Sequence, residues 1–213
     1  MQTIRAAVRH CRYFLIPYGI FLVISGIVLL LFSKETIHIT INHVYCKFGD
    51  LVMPYITLSA DGFTITILVL LLFAYNRKFA FWTGISCLLA SFITQILKHT
   101  VFEGDPRPKL FFQSPSPLRF VPGIENYLID TFPSGHTTVA FAFYFSLVFA
   151  VKNNYLKAGL FLIALLIGYS RIYLSQHFLG DVFGGSIIGT ICTFSILTFV
   201  LHKNWVQLSN FKK

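Results

Sequence analysis

Long apolar runs separated by short polar connections dominate the chain, and the runs are apolar all round rather than striped on one face. Six stand out, roughly Tyr13 to Phe32, Thr57 to Tyr75, Phe79 to Leu97, Phe132 to Val151, Leu156 to Tyr173 and Asp181 to Leu201. A helix rises about 1.5 Å per residue, so about 20 apolar residues cross the roughly 30 Å of hydrocarbon in a bilayer. The runs therefore predict six transmembrane helices. The first follows Arg5, Arg9 and Arg12 as a signal peptide's apolar segment would, but it is too long and no Ala-x-Ala site follows, so it predicts a retained anchor.

Two connections carry patterns of their own. Ile37, Ile41, Val44, Phe48 and Leu51 recur at steps of 4, 3, 4 and 3 with His38, Asn42, Lys47 and Asp50 off that face, which predicts an amphipathic helix lying on the outer leaflet. Lys98 to Thr131 holds five of the eight prolines (Pro106, Pro108, Pro115, Pro117 and Pro122), so it predicts a long, ordered loop, the kind that tends to be functional. Gly180-x3-Gly184 and Gly185-x3-Gly189 predict close helix packing, Asp61 a helix cap, and the 24 phenylalanines lipid-facing bulk. The expected fold is an all-α polytopic membrane protein with six transmembrane helices and an interfacial amphipathic helix, one domain over residues 1–213.

Composition agrees with a membrane protein: 55% of residues are hydrophobic, 12% are charged and the mean hydropathy is +0.71. A soluble domain carries roughly twice that charge. The net charge of +9 would suggest nucleic acid in a soluble protein, but position matters more here. With the N-terminus inside, Arg5, Arg9, Arg12, Arg77, Lys78, Lys152, Lys157, Lys203, Lys212 and Lys213 fall in the cytoplasm, ten of the 17 basic residues, and the eight acids fall at or near the outer face. Trp82 and Trp205 then lie at the inner interface. This predicts a membrane protein with both termini cytoplasmic and no nucleic acid partner. Cys11, Cys46, Cys87 and Cys192 form no C-x-x-C pair and predict no disulfide scaffold.

Against this apolar background the polar residues gather at one end. Lys98 ends the third run and Arg107 follows; Ser134, Gly135 and His136 open the fourth; Ser170 and Arg171 close the fifth; His177 and Asp181 open the sixth. Every one maps to the outer end of a helix, and ionisable groups there are costly enough to need a function. Three cations, a hydroxyl and the free N–H groups of a helix start describe an anion site, most simply for phosphate. With no thiol cluster and too few carboxylates, no metal or other cofactor is expected. The histidines divide into a nucleophile and a general acid. His177 suits the first role, since Asp181 four residues on shares its face if the stretch is helical and would fix its tautomer, and His136 suits the second.

Lys98…Arg107-Pro108, Pro133-Ser134-Gly135-His136 and Ser170-Arg171-x5-His177-x3-Asp181 resemble the three-part signature of the type 2 phosphatidic acid phosphatase superfamily, which includes bacterial undecaprenyl pyrophosphate and lipid A phosphatases. The second and third parts match as they stand. In the first, eight residues separate Lys98 from Arg107-Pro108 where the family usually has six, so a bulge is needed for Lys98 to join the site. The resemblance implies a metal-independent phosphohistidine mechanism in which Lys98, Arg107, Ser134, Gly135 and Arg171 hold the phosphate, His177 attacks, Asp181 orients it and His136 is the acid. It implies a membrane phosphatase acting on a phospholipid or glycolipid phosphate at the periplasmic face. Lys109 and Arg119 in the long loop favour a large head group such as lipid A; undecaprenyl pyrophosphate is the alternative, followed by phosphotransfer to a lipid hydroxyl. A transporter is the reading from another class, against which no ionisable row crosses the midplane.

Overall fold

The computed structural model describes residues 2–113 and 116–205, which form nine helices and no strand. Pro115 of the long loop and Lys212 and Lys213 of the expected inner cluster lie outside the described residues. In chain order the helices are α1 (Gln2–Leu31), α2 (Lys34–His43), α3 (Lys47–Leu58), α4 (Gly62–Tyr75), α5 (Arg77–Thr100), α6 (Pro108–Phe111), α7 (Gly135–Ala150), α8 (Asn154–Tyr173) and α9 (Leu179–His202).

The six expected spans resolve differently. Four helices, α1, α5, α8 and α9, are long and apolar enough to cross a bilayer, and α3 with α4 makes a fifth only if the pair, bent by 57°, is taken as one span. The break falls at residues 59–61, where the Asp61 carboxylate accepts the Thr64 N–H at 2.9 Å and starts a new helix, the cap expected of it. The run beginning at Phe132 yields only the 16 residues of α7, because Phe132 and Pro133 lie outside the helix and the extended Ser134 is the cap. The chain is a multi-pass membrane protein, but six full-length spans are not what its helices show.

The expected amphipathic helix is two helices, α2 and α3, with Ile37 of its apolar stripe buried. Val44, Phe48 and Leu51 are exposed, whereas His38 and Asn42 are buried against the rest of the protein. In a bilayer the surrounding solvent is apolar, so polar side chains bond inward and the exposed apolar residues face lipid. Helix α1 also begins well before its apolar run. Ala7, Cys11, Phe14 and Tyr18, one helical face, are buried, while Arg5, Arg9 and Arg12 project outward.

Helix α7 is the centre, packed on α5, α8 and α9, with α1 outside against α8 and α9. A Cβ on Gly185 would stand 2.7 Å from the Ser134 carbonyl oxygen and one on Gly189 2.2 Å from that of Thr138, so only glycine lets α9 approach α7 this closely. Gly184 faces the Phe132 ring instead, and Gly180 is nearly open. The phenylalanines are not all lipid-facing: Phe14, Phe79, Phe141, Phe145 and Phe149 are fully buried and interlock through edge-to-face and tilted contacts such as Phe14 to Phe161 at 5.5 Å. At the opposite end from the polar cluster, Trp82 and Trp205 stack with centroids 5.5 Å apart.

Candidate active site

Four segments converge where the C-terminal ends of α5 and α8 meet the N-terminal ends of α7 and α9. The turn after α8 does most of the placing. Its backbone folds back so that the Arg171 carbonyl accepts both the Gln176 and His177 N–H groups, at 2.9 and 3.2 Å, with Ser175 in the left-handed region at φ 53°. Arg171 and His177 are thereby brought to one place. His177 precedes α9 rather than belonging to it, yet its Nδ1 lies 3.2 Å from Asp181 Oδ2. The same carboxylate oxygen accepts the Phe178 N–H at 2.8 Å, so Asp181 caps α9 and faces His177 at once.

Arg107 comes from the long loop. Its Nη1 is 3.3 Å from His177 Nε2, its Nε donates to the Ile129 carbonyl at 2.8 Å, and its Nη2 donates to the Asp130 carbonyl at 3.3 Å. Lys98 Nζ donates to that same Asp130 carbonyl at 2.5 Å. The two extra residues between Lys98 and Arg107 are taken up in a connection around Gly104, whose N–H bonds the Asp130 side chain at 3.0 Å. Lys98 thus joins the cluster despite the longer spacing. A cleft of ≈ 320 Å³ lined in part by Gln95, Lys98, His99, Arg107, Tyr127 and Asp130 opens beside it.

Ser134, fully buried, caps α7: its Oγ accepts the Thr137 hydroxyl at 2.9 Å and the Thr137 N–H at 3.4 Å. Its own N–H donates to the Asp181 carbonyl at 3.1 Å, which joins the starts of α7 and α9. Of the three N–H groups expected to face an anion, those of Gly135 and His136 remain. His136 is half-buried. Arg171 is 5% exposed, with Nη1 donating to Thr57 Oγ1 at 2.7 Å and Nε unpartnered among the described residues. Ser170 donates to the Ile167 carbonyl of its own helix, a structural contact. No group of three or more His, Cys, Asp or Glu with metal-holding geometry occurs among the described residues.

His177 lies between helices, 2% exposed. Burial, then the positive charges of Arg107, Arg171 and Lys98, holds its pKa well below the ordinary 6.5. The imidazole is therefore neutral at neutral pH, with Nδ1 turned to a carboxylate and Nε2 turned to a cation. That is the form of a histidine able to attack an anion held by the same arginine.

Residues 79–205 match the model of the PAP2 superfamily. The chain belongs to the PAP2 superfamily. It is 29% identical over 153 residues to the undecaprenyl-diphosphatase BcrC of Bacillus subtilis (70% of this chain, 74% of that protein). It is 30% identical over 163 residues to phosphatidylglycerophosphatase B of the same organism (70% and 73%). Among solved structures, LpxE of Aquifex aeolicus superposes with a TM-score of 0.69 at 28% identity, covering 79% of this chain and 98% of that one.

Several residues of this PAP2 site were not visible in the motifs. Thr131 donates its hydroxyl to Asp181 Oδ2 and lies 3.5 Å from His177 Nδ1; Thr57 holds Arg171. Both are polar residues at the edges of apolar segments, and only their partners mark them. Arg119, expected near a substrate head group, is occupied: both its terminal nitrogens pair with the Asp50 carboxylate, and its guanidinium lies 4.2 Å over the Tyr45 ring. Asp50 also accepts the Tyr173 hydroxyl at 2.7 Å, tying α3 to α8. Lys109 is exposed on α6.

Proposed function

We propose that this PAP2 enzyme is a lipid-phosphate phosphatase that works through a phosphohistidine on His177, in a bacterial cytoplasmic membrane with both termini inside and the site facing the periplasm. The observation that carries the reading is the line Asp181–His177–Arg107, with one imidazole nitrogen 3.2 Å from a carboxylate and the other 3.3 Å from a guanidinium. Arg107, Arg171, Lys98, the Ser134 hydroxyl and the N–H groups of Gly135 and His136 hold the phosphate oxygens. They stabilise the equatorial charge as the phosphoryl group transfers. His177 Nε2 forms the bond to phosphorus while the lipid oxygen leaves, taking a proton from His136. Asp181 holds the Nδ1 proton and stabilises the positive ring. Water then attacks the phosphohistidine with His136 as base, releasing inorganic phosphate and the free ring.

For the substrate, lipid A is proposed first, from the long outer loop and the exposed Lys109; the pairing of Arg119 with Asp50 removes one support for it. Similarity to an undecaprenyl-diphosphatase supports undecaprenyl diphosphate as the second reading. The test is mass spectrometry of lipid A and undecaprenyl carriers from cells expressing the chain or its His177→Ala variant. Lipid A short of one phosphate only with His177 present supports the first substrate. A reduced undecaprenyl diphosphate pool with unchanged lipid A supports the second, and no histidine-dependent change in any lipid phosphate overturns the proposal.

A further inference from the structure

One buried histidine lies outside the signature and outside the phosphate site. His38, on α2, is 1% exposed, with its ring between Phe112 and Phe178 at centroid distances of 5.8 and 5.2 Å. Its Nε2 is 3.3 Å from Ser175 Oγ, and Asn42, one turn along the same helix, donates to that hydroxyl at 3.0 Å. Asn42 is itself fixed by two bonds of 2.8 Å with the Arg119 backbone. Among the described residues these are the side-chain hydrogen bonds of Ser175, which sits at φ 53° in the turn between Arg171 and His177. A serine enters the left-handed region only when its surroundings hold it there.

The consequence runs along the backbone. Gln176 and His177, the next two residues, hang by their N–H groups from the Arg171 carbonyl, so the torsions at Ser175 set the direction of the His177 ring. Burial pushes the His38 imidazole down to about 4, which keeps it neutral, and its Nδ1 has no partner among the described residues. A buried ring with one nitrogen unsatisfied adds less to stability than an apolar side chain of the same shape, so its contribution lies in the contact it does make.

We propose that His38 is a positioning residue: with Asn42 it holds the Ser175 hydroxyl, fixes the turn, and so aligns His177 Nε2 with the phosphorus bound beside Arg107. This rests on His177 being the nucleophile. An ångström of misalignment at an attacking atom costs up to about a hundredfold in rate while leaving ground-state binding nearly intact.

The experiment compares kcat and KM for hydrolysis of dioctanoyl phosphatidic acid in detergent by the purified full chain and four variants. They are His38→Ala, His38→Gln, Ser175→Gly and the double variant His38→Ala with Ser175→Gly. Glycine accepts φ 53° without strain, so Ser175→Gly removes the hydroxymethyl group while keeping the turn's torsions allowed, and decides the matter even if His38→Ala fails to fold. The expected result is kcat about tenfold lower or more in His38→Ala and Ser175→Gly with KM within about twofold, and a double variant no slower than the slower single one. His38→Gln, whose amide N–H reaches the place of Nε2, regains most of the rate. Kcat within about twofold of wild type in Ser175→Gly, or a rise in KM alone, overturns the proposal. His177→Ala run alongside separates the two failures: turnover in that variant sinks the nucleophile assignment rather than the role of His38.

Discussion

At the scale of the residue, the site is a set of charges brought together by short-range bonds to backbone. The Asp130 carbonyl gathers Lys98 and Arg107, and the Arg171 carbonyl gathers the turn that carries His177. Preorganised cations of this kind act on the transition state, so Arg171→Ala should lower kcat by about a hundredfold or more with a smaller change in KM. A loss confined to KM, read from initial rates on phosphatidic acid, would assign Arg171 to ground-state binding. The depressed pKa of His177 sets a second expectation. As the proposed nucleophile His177 must be neutral, and a lowered pKa keeps it so below the ordinary 6.5; activity from this group is present above its pKa and lost as pH falls through it. The acid limb of kcat/KM should therefore lie below pH 6.5. A limb centred at or above that value would contradict the burial and charge arguments.

At the scale of the element, what was legible followed from long-range regularity. α1, α5, α8 and α9 announce themselves as apolar runs, and the His177–Asp181 and Ser134–His136 groups as short motifs at the starts of α9 and α7. What was not legible depended on single contacts: the break at residues 59–61 that divides one span, the Cys46 thiol that caps α3 by accepting the Gly49 N–H at 3.2 Å, and Thr57 and Thr131 beneath Arg171 and Asp181. The amphipathic pattern marked α2 and α3 but not the break between them, nor that His38 and Asn42 turn inward to meet Ser175. Arg119 likewise had no sequence sign of its partner, since Asp50 is far away in the chain. The glycine seam between α7 and α9 gives a test of packing. Gly189→Ala places a methyl group against the Thr138 carbonyl and should destabilise the protein by about 1–3 kcal/mol, whereas Gly159→Ala, with open space around it, should be close to neutral. Thermal unfolding in detergent distinguishes them, and equal Tm values would show that the helices part without cost.

At the scale of the whole molecule, the polar cluster occupies one end and the Trp82–Trp205 stack, beside Arg77 and Lys78, the other. The excess of basic residues on the tryptophan end supports the proposed outward orientation of the site. A native reporter tests this without engineering. Cys46 is exposed and its backbone N–H and carbonyl meet the hydroxyl of Tyr173, at the end of α8 that carries the site, at 3.3 and 3.1 Å, while Cys11, Cys87 and Cys192 are buried. A membrane-impermeant maleimide added to spheroplasts should label the wild-type chain and not Cys46→Ser. Labelling that requires ruptured membranes would place the site in the cytoplasm.

The most direct test of the phosphohistidine is to catch it. Radiolabelled dioctanoyl phosphatidic acid mixed with excess enzyme and quenched in base within milliseconds should leave a base-stable, acid-labile label on the peptide that contains His177, decaying as inorganic phosphate appears. Single-turnover release of phosphate with no base-stable label, or an equal label on the His177→Ala variant, would contradict it.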